Sequence, residues 1–165
     1  MSRRQTRLEP TLDFLQHLWR LNHAMERTSA LMEDHLGVTA QQRLLIRVLS
    51  DRPDMTSAEL AEVLHVDPAT VSVSLKRLEA RGLIKRRRDS GDRRRVGLLL
   101  TASGRRLARP LALTVEAAVQ ATLRREGRRN GAIARRVLNG LAETLAEKIH
   151  ATHRRRRADQ RTDAL

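Results

Sequence analysis

The chain has 165 residues, a length that suits one domain or one domain carrying dimerisation arms. It contains no cysteine, so disulfides and thiol-based redox sensing are excluded, and its formal net charge is +14 at pH 7. No stretch approaches the roughly 18 consecutive apolar residues of a membrane span, and the polar, basic residues 1–4 lack the apolar core of a secretory signal. We therefore expect a cytoplasmic protein with no membrane partner.

The positive charge is concentrated in one part of the chain. Residues 76–109 contain 13 Lys and Arg against 3 Asp and Glu, a net charge of +10, whereas residues 8–70 have a net charge of −5. An arginine-rich composition alone would be spread evenly and would not leave a negative segment beside a positive one. The distribution is typical of a protein with one phosphate-binding surface.

The N-terminal part predicts a helix from Pro10 to about Asp34. Its apolar residues form two adjoining stripes, Phe14, Leu18, Leu21, Met25 and Leu12, Leu15, Trp19. Together these stripes are too wide for a helix that contacts only one neighbour. After a break at Gly37, a capping box at Thr39–Gln42 starts a second helix, which ends at residues 51–54.

Residues 56–82 predict two helices joined by a tight connection. Thr56 and Glu59 form a capping box for the first helix. Asp67 can cap the second, Pro68 suits its first position, and Gly82 suits a left-handed stop. The second helix has an apolar face formed by Val71, Leu75 and Leu78.

The opposite face of this second helix has small or polar side chains first and basic ones later. A helix of this kind can enter the major groove, because small side chains allow close approach to base edges and the basic turn reaches phosphates. The predicted DNA-binding residues of the helix-turn-helix are Ser57, Ala69, Thr70, Ser72, Val73, Lys76 and Arg77.

A basic hairpin follows the two helices. Residues 83–88 predict a strand with an apolar start and a basic end, residues 89–92 form a turn, and residues 96–100 predict a second strand. Thr101 is placed to cap the next helix. A helix-turn-helix followed by a basic hairpin is a winged helix.

Residues 38–107 resemble the MarR family of bacterial transcription regulators. The matching motifs are Glu-Leu-Ala at 59–61, Thr-Val-Ser at 70–72 and Leu-Glu-Ala-Arg-Gly-Leu-Ile at 78–84. The most specific is the wing, Asp-Arg-Arg-Arg-Val-Gly-Leu-Leu-Leu-Thr at 92–101, with Gly104 after it. It fits the family pattern of Asp, Arg two positions later, and then Leu-x-Leu-Thr.

The resemblance implies roles for the wing residues. Arg94 would enter the minor groove, where narrow A·T-rich segments concentrate negative potential, and Asp92 would hold Arg94 through an ion pair. Arg93 and Arg95 would contact phosphates. The resemblance also implies a homodimer in which terminal helices interdigitate, a pseudo-palindromic double-stranded operator, repression, and release by a small-molecule effector.

After the wing, residues 102–125 predict a long helix that bends near residues 106–110, because Pro110 removes a backbone donor and clashes with the preceding turn. Gly127 and the pair Asn130–Gly131 mark a break, and a last helix runs from about Ala132 to His150. We thus predict a mainly α fold with a small β-hairpin. Its parts are a winged helix-turn-helix domain at 36–104, dimerisation helices at 8–35 and 105–153, and a basic, solvated tail at 154–165.

The remaining candidates for functional residues are the aromatic residues and the histidines. Phe14 and Trp19 are the two aromatic residues, and they suit core or dimer packing, or else a pocket for the effector. The pairs His17–His23 and His150–His153 lack the further ligands of a metal site. No phosphate loop and no nucleophile with a base is present, so we expect no cofactor, no metal and no enzyme. The alternatives are an effector-blind architectural DNA-binding protein and a winged-helix protein–protein interaction module.

Overall fold

The computed structural model describes residues 9–88, 91 and 95–162, with side chains as far as Ile149. The described elements are α1 (Pro10–Leu36), α2 (Ala40–Asp51), α3 (Ser57–Leu64), α4 (Pro68–Ala80), β1 (Ile84–Arg88), β2 (Val96–Leu100), α5 (Ala102–Leu107) and α6 (Val115–Thr162). The predicted mainly α fold with a small hairpin is confirmed. The chain forms two compact units that divide between Ala118 and Val119.

The starts of α2, α3 and α4 follow from local capping interactions. Both predicted capping boxes form, with Thr39 and Gln42 at α2 and with Thr56 and Glu59 at α3. At α4 the Asp67 carboxylate accepts a hydrogen bond of 2.7 Å from the Ala69 amide, and Pro68 occupies the first helical turn. Each cap of this kind stabilises its helix by about 1 kcal/mol.

The hydrophobic core of the winged domain lies between α2, α3, α4 and the hairpin. The predicted apolar face of α4 is buried there, through Val71, Leu75 and Leu78. It packs in one cluster with buried residues of the other elements, among them Leu45, Ile46, Leu49, Leu60, Ile84, Leu98 and Leu100. Because the inner face of α4 is fully used in this core, the polar face is left to solvent.

The hairpin is joined to the helices at two points. β1 and β2 pair antiparallel from Ile84 opposite Leu100 to Arg88 opposite Val96, and Met55 forms a further bridge with Leu98. At the other end, a Cβ placed on Gly104 would lie 2.1 Å from the Leu83 carbonyl oxygen. Only glycine permits that approach, so Gly104 allows α5 to pack directly on the start of β1.

The prediction of one long, bent helix from Ala102 to about Arg125 is wrong. α5 ends at Leu107, and helix resumes only at Val115. Pro110 explains the interruption, because it cannot donate a helical hydrogen bond and disfavours helical backbone before it. The carbonyl groups left free at this end accept hydrogen bonds from α2 instead, Leu107 and Arg109 from Arg43 and Ala108 from Arg47.

Two further side chains fix the start of α6. The Thr114 hydroxyl accepts a hydrogen bond of 3.3 Å from the Ala117 amide, and it donates to the Leu111 carbonyl at 2.9 Å. Thr114 is therefore an N-cap that the sequence prediction missed. In the first turn of α6, Glu116 accepts a hydrogen bond from the fully buried guanidinium of Arg43.

The second unit is the remainder of α6. Gly127 has φ 82° and ψ 166°, far from helical values, so the predicted break is confirmed at this residue. Asn130 and Gly131 lie within helix, and the helix after the break begins before the predicted Ala132 and extends past the predicted His150 to Thr162. Although α1 and α6 are long, no helix in the described part of the chain has an apolar stretch suited to crossing a bilayer.

Candidate nucleic-acid interface

The outer face of α4 presents the side chains that the sequence assigned to base contacts. Ala69, Thr70 and Val73 are exposed, and Ser72 is half-buried. Val73 is 53% exposed. Small hydroxyl and methyl groups on a protruding helix suit the edges of base pairs, including the thymine methyl group.

Basic side chains continue from this face onto the hairpin. Lys76 and Arg77 are exposed in the middle and last turns of α4, and Lys85, Arg86 and Arg88 are exposed on β1. Arg86 donates a hydrogen bond of 3.0 Å to Glu79, which partly offsets its charge. Ser57, the predicted contact on α3, is half-buried at the first helical position. α4 and β1 thus form one continuous surface with small side chains at one end and cations at the other.

The wing residues divide into those that the structure describes and those that it does not. Asp92, Arg93 and Arg94 lie outside the described residues. Arg95 lies within them, and its guanidinium is directed towards the α2–α3 loop, where it donates to the Asp54 carboxylate at 3.1 Å and to the Asp54 carbonyl oxygen at 2.8 Å. The predicted phosphate ligand Arg95 is therefore held by an acidic residue of the same chain.

Asp54 is a residue of this surface that sequence reasoning missed. Its carboxylate also accepts a hydrogen bond of 2.6 Å from Arg87, so it joins an arginine from each side of the hairpin. The sequence offered no local signal for these contacts, because the partners lie 33 and 41 positions away and residues 51–54 had been interpreted only as the end of α2.

The electrostatics around Asp54 favour ionised carboxylates. The hydrogen bond from Arg87 lowers the pKa of Asp54 below its ordinary value, and Arg95 lowers it further. The Thr56 amide, followed by the Thr56 hydroxyl, lowers the pKa of Glu59. Glu59 also lies 3.8 Å from the Arg95 guanidinium. Both carboxylates are therefore charged at neutral pH and hold the base of the hairpin.

Phe14 and Trp19, the aromatic residues proposed for an effector pocket, lie on α1 and do not belong to the surface formed by α4 and the hairpin. Trp19 is 77% exposed, and with Leu12 and Leu15 it forms an open apolar face bordered by Gln16, Arg20 and His23. Phe14 is also exposed but does not belong to that face. Across the described side chains, no group of three or more His, Cys, Asp or Glu residues is arranged to hold a metal ion.

Comparisons with known proteins agree with this geometry. The profile of the MarR family matches residues 36–95. The transcriptional regulator HosA of Escherichia coli O157:H7 is 31% identical over a region that covers 52% of this chain and 70% of HosA. The chain belongs to the MarR family. MarR-family proteins are transcriptional regulators and not enzymes.

Other MarR-type regulators match different shares of the chain. TtmR of Methylorubrum extorquens (strain PA1) is 36% identical over 85 residues, 52% of this chain, although this chain spans only 44% of TtmR. The crystal structure of Streptococcus pneumoniae FabT in complex with DNA has a TM-score of 0.60 at 25% identity, covering 83% of this chain and 96% of FabT. The matched fold therefore extends beyond the winged domain into the flanking helices.

Proposed function

We propose that this MarR-family chain is a homodimeric, sequence-specific DNA-binding protein of the cytoplasm that represses transcription by occupying a pseudo-palindromic operator. One α4 helix from each copy enters a major groove, and the half-sites lie about one helical turn apart. The observation that carries the proposal is the exposed face of α4, where small side chains at Ala69, Thr70 and Val73 precede the cations Lys76 and Arg77.

The hairpin supplies the second part of the DNA contact. Lys85 and Arg88 are exposed on β1, whose Arg86 contacts Glu79 of α4, and the wing adds Arg93 and Arg94 from the sequence. Phosphate contacts by such residues release condensed counterions, so binding should weaken steeply as salt rises. In FabT, the MarR-type protein of similar fold, the solved structure is a complex with DNA.

The homodimer is supported by the apolar residues that a single chain leaves exposed. On α1 they include Leu12, Leu15, Trp19 and Leu21, each with 47% or more of its surface accessible. On α6, considered separately, they include Val119, Leu123, Leu145 and Ile149. Apolar surface of this extent on a winged-helix monomer is typical of an interface, and an obligate one buries about 2,000 Å² or more.

In this proposal the effector binds at the border of the apolar face around Trp19, beside Arg20 and His23, and the second copy covers the rest of that face. A small anion with an apolar body would shift the affinity for DNA if it bound more tightly to one spacing of the two winged domains of the dimer. A coupling free energy of about 1–3 kcal/mol changes affinity about 5–150-fold. An architectural DNA-binding protein would show no such release.

The proposal is tested by selecting duplexes from a random pool with the purified protein. We expect enriched sequences with two-fold symmetry and one preferred half-site spacing, and a complex that contains two copies of the chain. Enriched sequences without two-fold symmetry would contradict an arrangement in which each copy places its α4 in one half-site. No enrichment at low salt would contradict sequence-specific DNA binding altogether.

A further inference from the structure

Asp54 connects the helix-turn-helix to both sides of the hairpin. Its Oδ2 atom accepts hydrogen bonds from Arg87 at 2.6 Å and from Arg95 at 3.1 Å, and its carbonyl oxygen accepts from Arg95 at 2.8 Å. The backbone repeats the connection, since the Asp54 amide donates to the Leu98 carbonyl at 3.0 Å and the Leu98 amide donates to the Met55 carbonyl at 2.8 Å.

The two arginines mark the base of the wing. Arg87 lies opposite Gly97 in the β1–β2 register, and Arg95 immediately precedes β2. The segment that connects β1 to Arg95, residues 89–94, includes Arg93 and Arg94 in the sequence. The Asp54 carboxylate thus holds the chain on both sides of this segment, at Arg87 and at Arg95.

Asp54 occupies this position despite unfavourable local features. Its φ is 68°, in the left-handed region, and its Oδ1 atom is buried without a hydrogen-bond partner among the described residues. A Cβ placed on Gly97 would lie 1.9 Å from that oxygen, so the glycine is required for the carboxylate to reach the arginines. Left-handed backbone and an unsatisfied buried oxygen both lower stability. These two costs offset part of the stability that the hydrogen bonds from Arg87 and Arg95 contribute, so stability alone does not account for the arrangement.

We propose that Asp54 is a positioning residue for DNA recognition. Through its ion pairs with Arg87 and Arg95 it sets the angle of the wing relative to α4. Arg95 then contributes to binding by orienting the wing tip and does not serve as a phosphate ligand. This inference rests on the proposed DNA-binding function. It adds a role for an acidic side chain beside a surface that carries several exposed cations.

The direction in which operator affinity changes when Asp54 is replaced distinguishes a positioning role from an effect of its charge alone. Asp54 is a negative charge beside a surface proposed to bind phosphates, so charge alone predicts that removing it strengthens binding to every duplex. Positioning predicts the reverse for the operator, because a released wing no longer reaches the minor groove in register. A random duplex has no register to lose, so its affinity should be unchanged or higher.

The experiment compares Asp54→Asn with Asp51→Asn in the full chain. Asp51 lies three positions earlier, its side chain is 84% exposed, and its substitution makes the same change in charge. Asparagine tolerates left-handed backbone, so the fold at position 54 is retained. Affinities for the selected operator and a scrambled duplex are measured by fluorescence anisotropy at one fixed salt concentration, and amide hydrogen exchange is measured over residues 84–88 and 95–100.

We expect Asp54→Asn to lose about tenfold in operator affinity, the amount associated with one charged hydrogen bond, with no loss on the scrambled duplex. Exchange should become faster in both hairpin strands, and Asp51→Asn should match the wild type in every measurement. Gly97→Ala leaves the charge unchanged and displaces the carboxylate, so it should reproduce the selective loss.

Three results would overturn the inference. The first is an Asp54→Asn protein that binds the operator as tightly as the wild type or more tightly, and the second is an equal loss on both duplexes. The third is an unchanged rate of amide hydrogen exchange in the hairpin. This measurement needs no DNA, so it tests the role of Asp54 independently of the proposed function. If the wild type itself prefers no sequence, the proposed function fails, and the role of Asp54 in recognition fails with it.

Discussion

The winged domain and α1 differ in how they bury apolar side chains. In the winged domain, Ile46, Leu75 and Leu98 are inaccessible to solvent, and α2, α3, α4 and the hairpin share one core. α1, every residue of which the structure describes, buries a single side chain, Met32, while Trp19 is 77% exposed. The winged domain therefore completes its core within one chain, whereas α1 leaves most of its large apolar side chains exposed.

This difference has an energetic side. Burying an apolar side chain of the size of leucine stabilises a protein by about 1.5–3 kcal/mol, so covering several such residues of α1 is a large driving force for association. The same substitution should thus act on assembly when it is made in α1 and on folding or DNA contact when it is made in the winged domain. Each prediction below tests that division.

The largest effect is expected from Leu15→Glu on α1. A carboxylate in the middle of the proposed interface would have to be buried without a partner, which is costly enough to prevent pairing. Sedimentation across a dilution series should show a dimer for the wild type and a monomer for the variant. Trp19, the only tryptophan, reports the same event, because its emission should shift to longer wavelength when the partner is lost.

Ala24→Glu is the matched control for this experiment. It adds the same charge to an exposed position of α1, on the polar side between Arg20 and Arg27. We expect it to remain a dimer at every concentration at which the wild type does. If Leu15→Glu is as dimeric as Ala24→Glu, the apolar face of α1 does not form the interface.

The second prediction concerns the winged domain and its link to α6. The Arg43 side chain is fully buried and donates to Glu116 and to the carbonyl oxygens of Leu107 and Arg109. Arg43→Ala leaves two carbonyls and a partly buried carboxylate without a donor, so unfolding free energy in urea should fall by about 3–5 kcal/mol.

The control for Arg43 is Arg52→Ala at the end of α2. Arg52 is 62% exposed in its side chain and lies 4.0 Å from Asp51, so its loss should change stability by less than about 0.5 kcal/mol. Similar losses for the two variants would show that the link between α2 and α6 carries no special stability.

Much of the winged domain could be predicted because its signals are local. A cap acts within three residues, as at Thr56, and an apolar face repeats every three or four residues, as along Val71, Leu75 and Leu78. Pro68 and Gly82 are restricted by their own backbones. These features give the bounds of α3 and α4 without reference to the rest of the chain.

The missed features depend on residues far apart in sequence. The pairing of Asp54 with Arg95 spans 41 positions, and that of Arg43 with Glu116 spans 73. Nothing in a run of arginines marks Arg95 as a partner of Asp54. Pro110 is a local signal, but it predicted only a bend, because the donors that allow the helix to end at Leu107 lie far away on α2, in Arg43 and Arg47.

The third prediction tests base readout within the winged domain. Thr70 is exposed on the first turn of α4, so Thr70→Gln should place a bulky side chain at the base edges without disturbing the core. Operator affinity should fall by about 1–3 kcal/mol, with little change on a scrambled duplex and in stability. Lys76→Ala should weaken both complexes, and it should reduce the slope of log K against log salt by about 0.9. Equal losses of Thr70→Gln on both duplexes would contradict base contact.

The smallest effects separate the wing arginines, which composition treats as equivalent. Arg95 is held by Asp54, whereas the family resemblance places Arg94 in the minor groove and Arg93 on a phosphate. Narrow A·T-rich minor grooves attract an inserted arginine, so Arg94→Ala should lose several-fold more affinity on operators with A·T-rich flanks than on those with G·C-rich flanks. Arg93→Ala should lose the same amount on both, and Asp92→Ala should show a weaker form of the Arg94 defect.

Arg95→Ala provides the contrast that links this measurement to the structure. Its loss leaves Asp54 with one arginine in place of two, so it should loosen both hairpin strands in hydrogen exchange as well as weaken operator binding. Arg94→Ala should leave exchange of the described hairpin residues, 84–88 and 95–100, unchanged, since its proposed partner is DNA. If the three arginine variants lose equal affinity on both flanks and none alters exchange, the wing is a nonspecific phosphate clamp. In that case Arg95 would not orient the wing, and Arg94 would not make a specific contact in the minor groove.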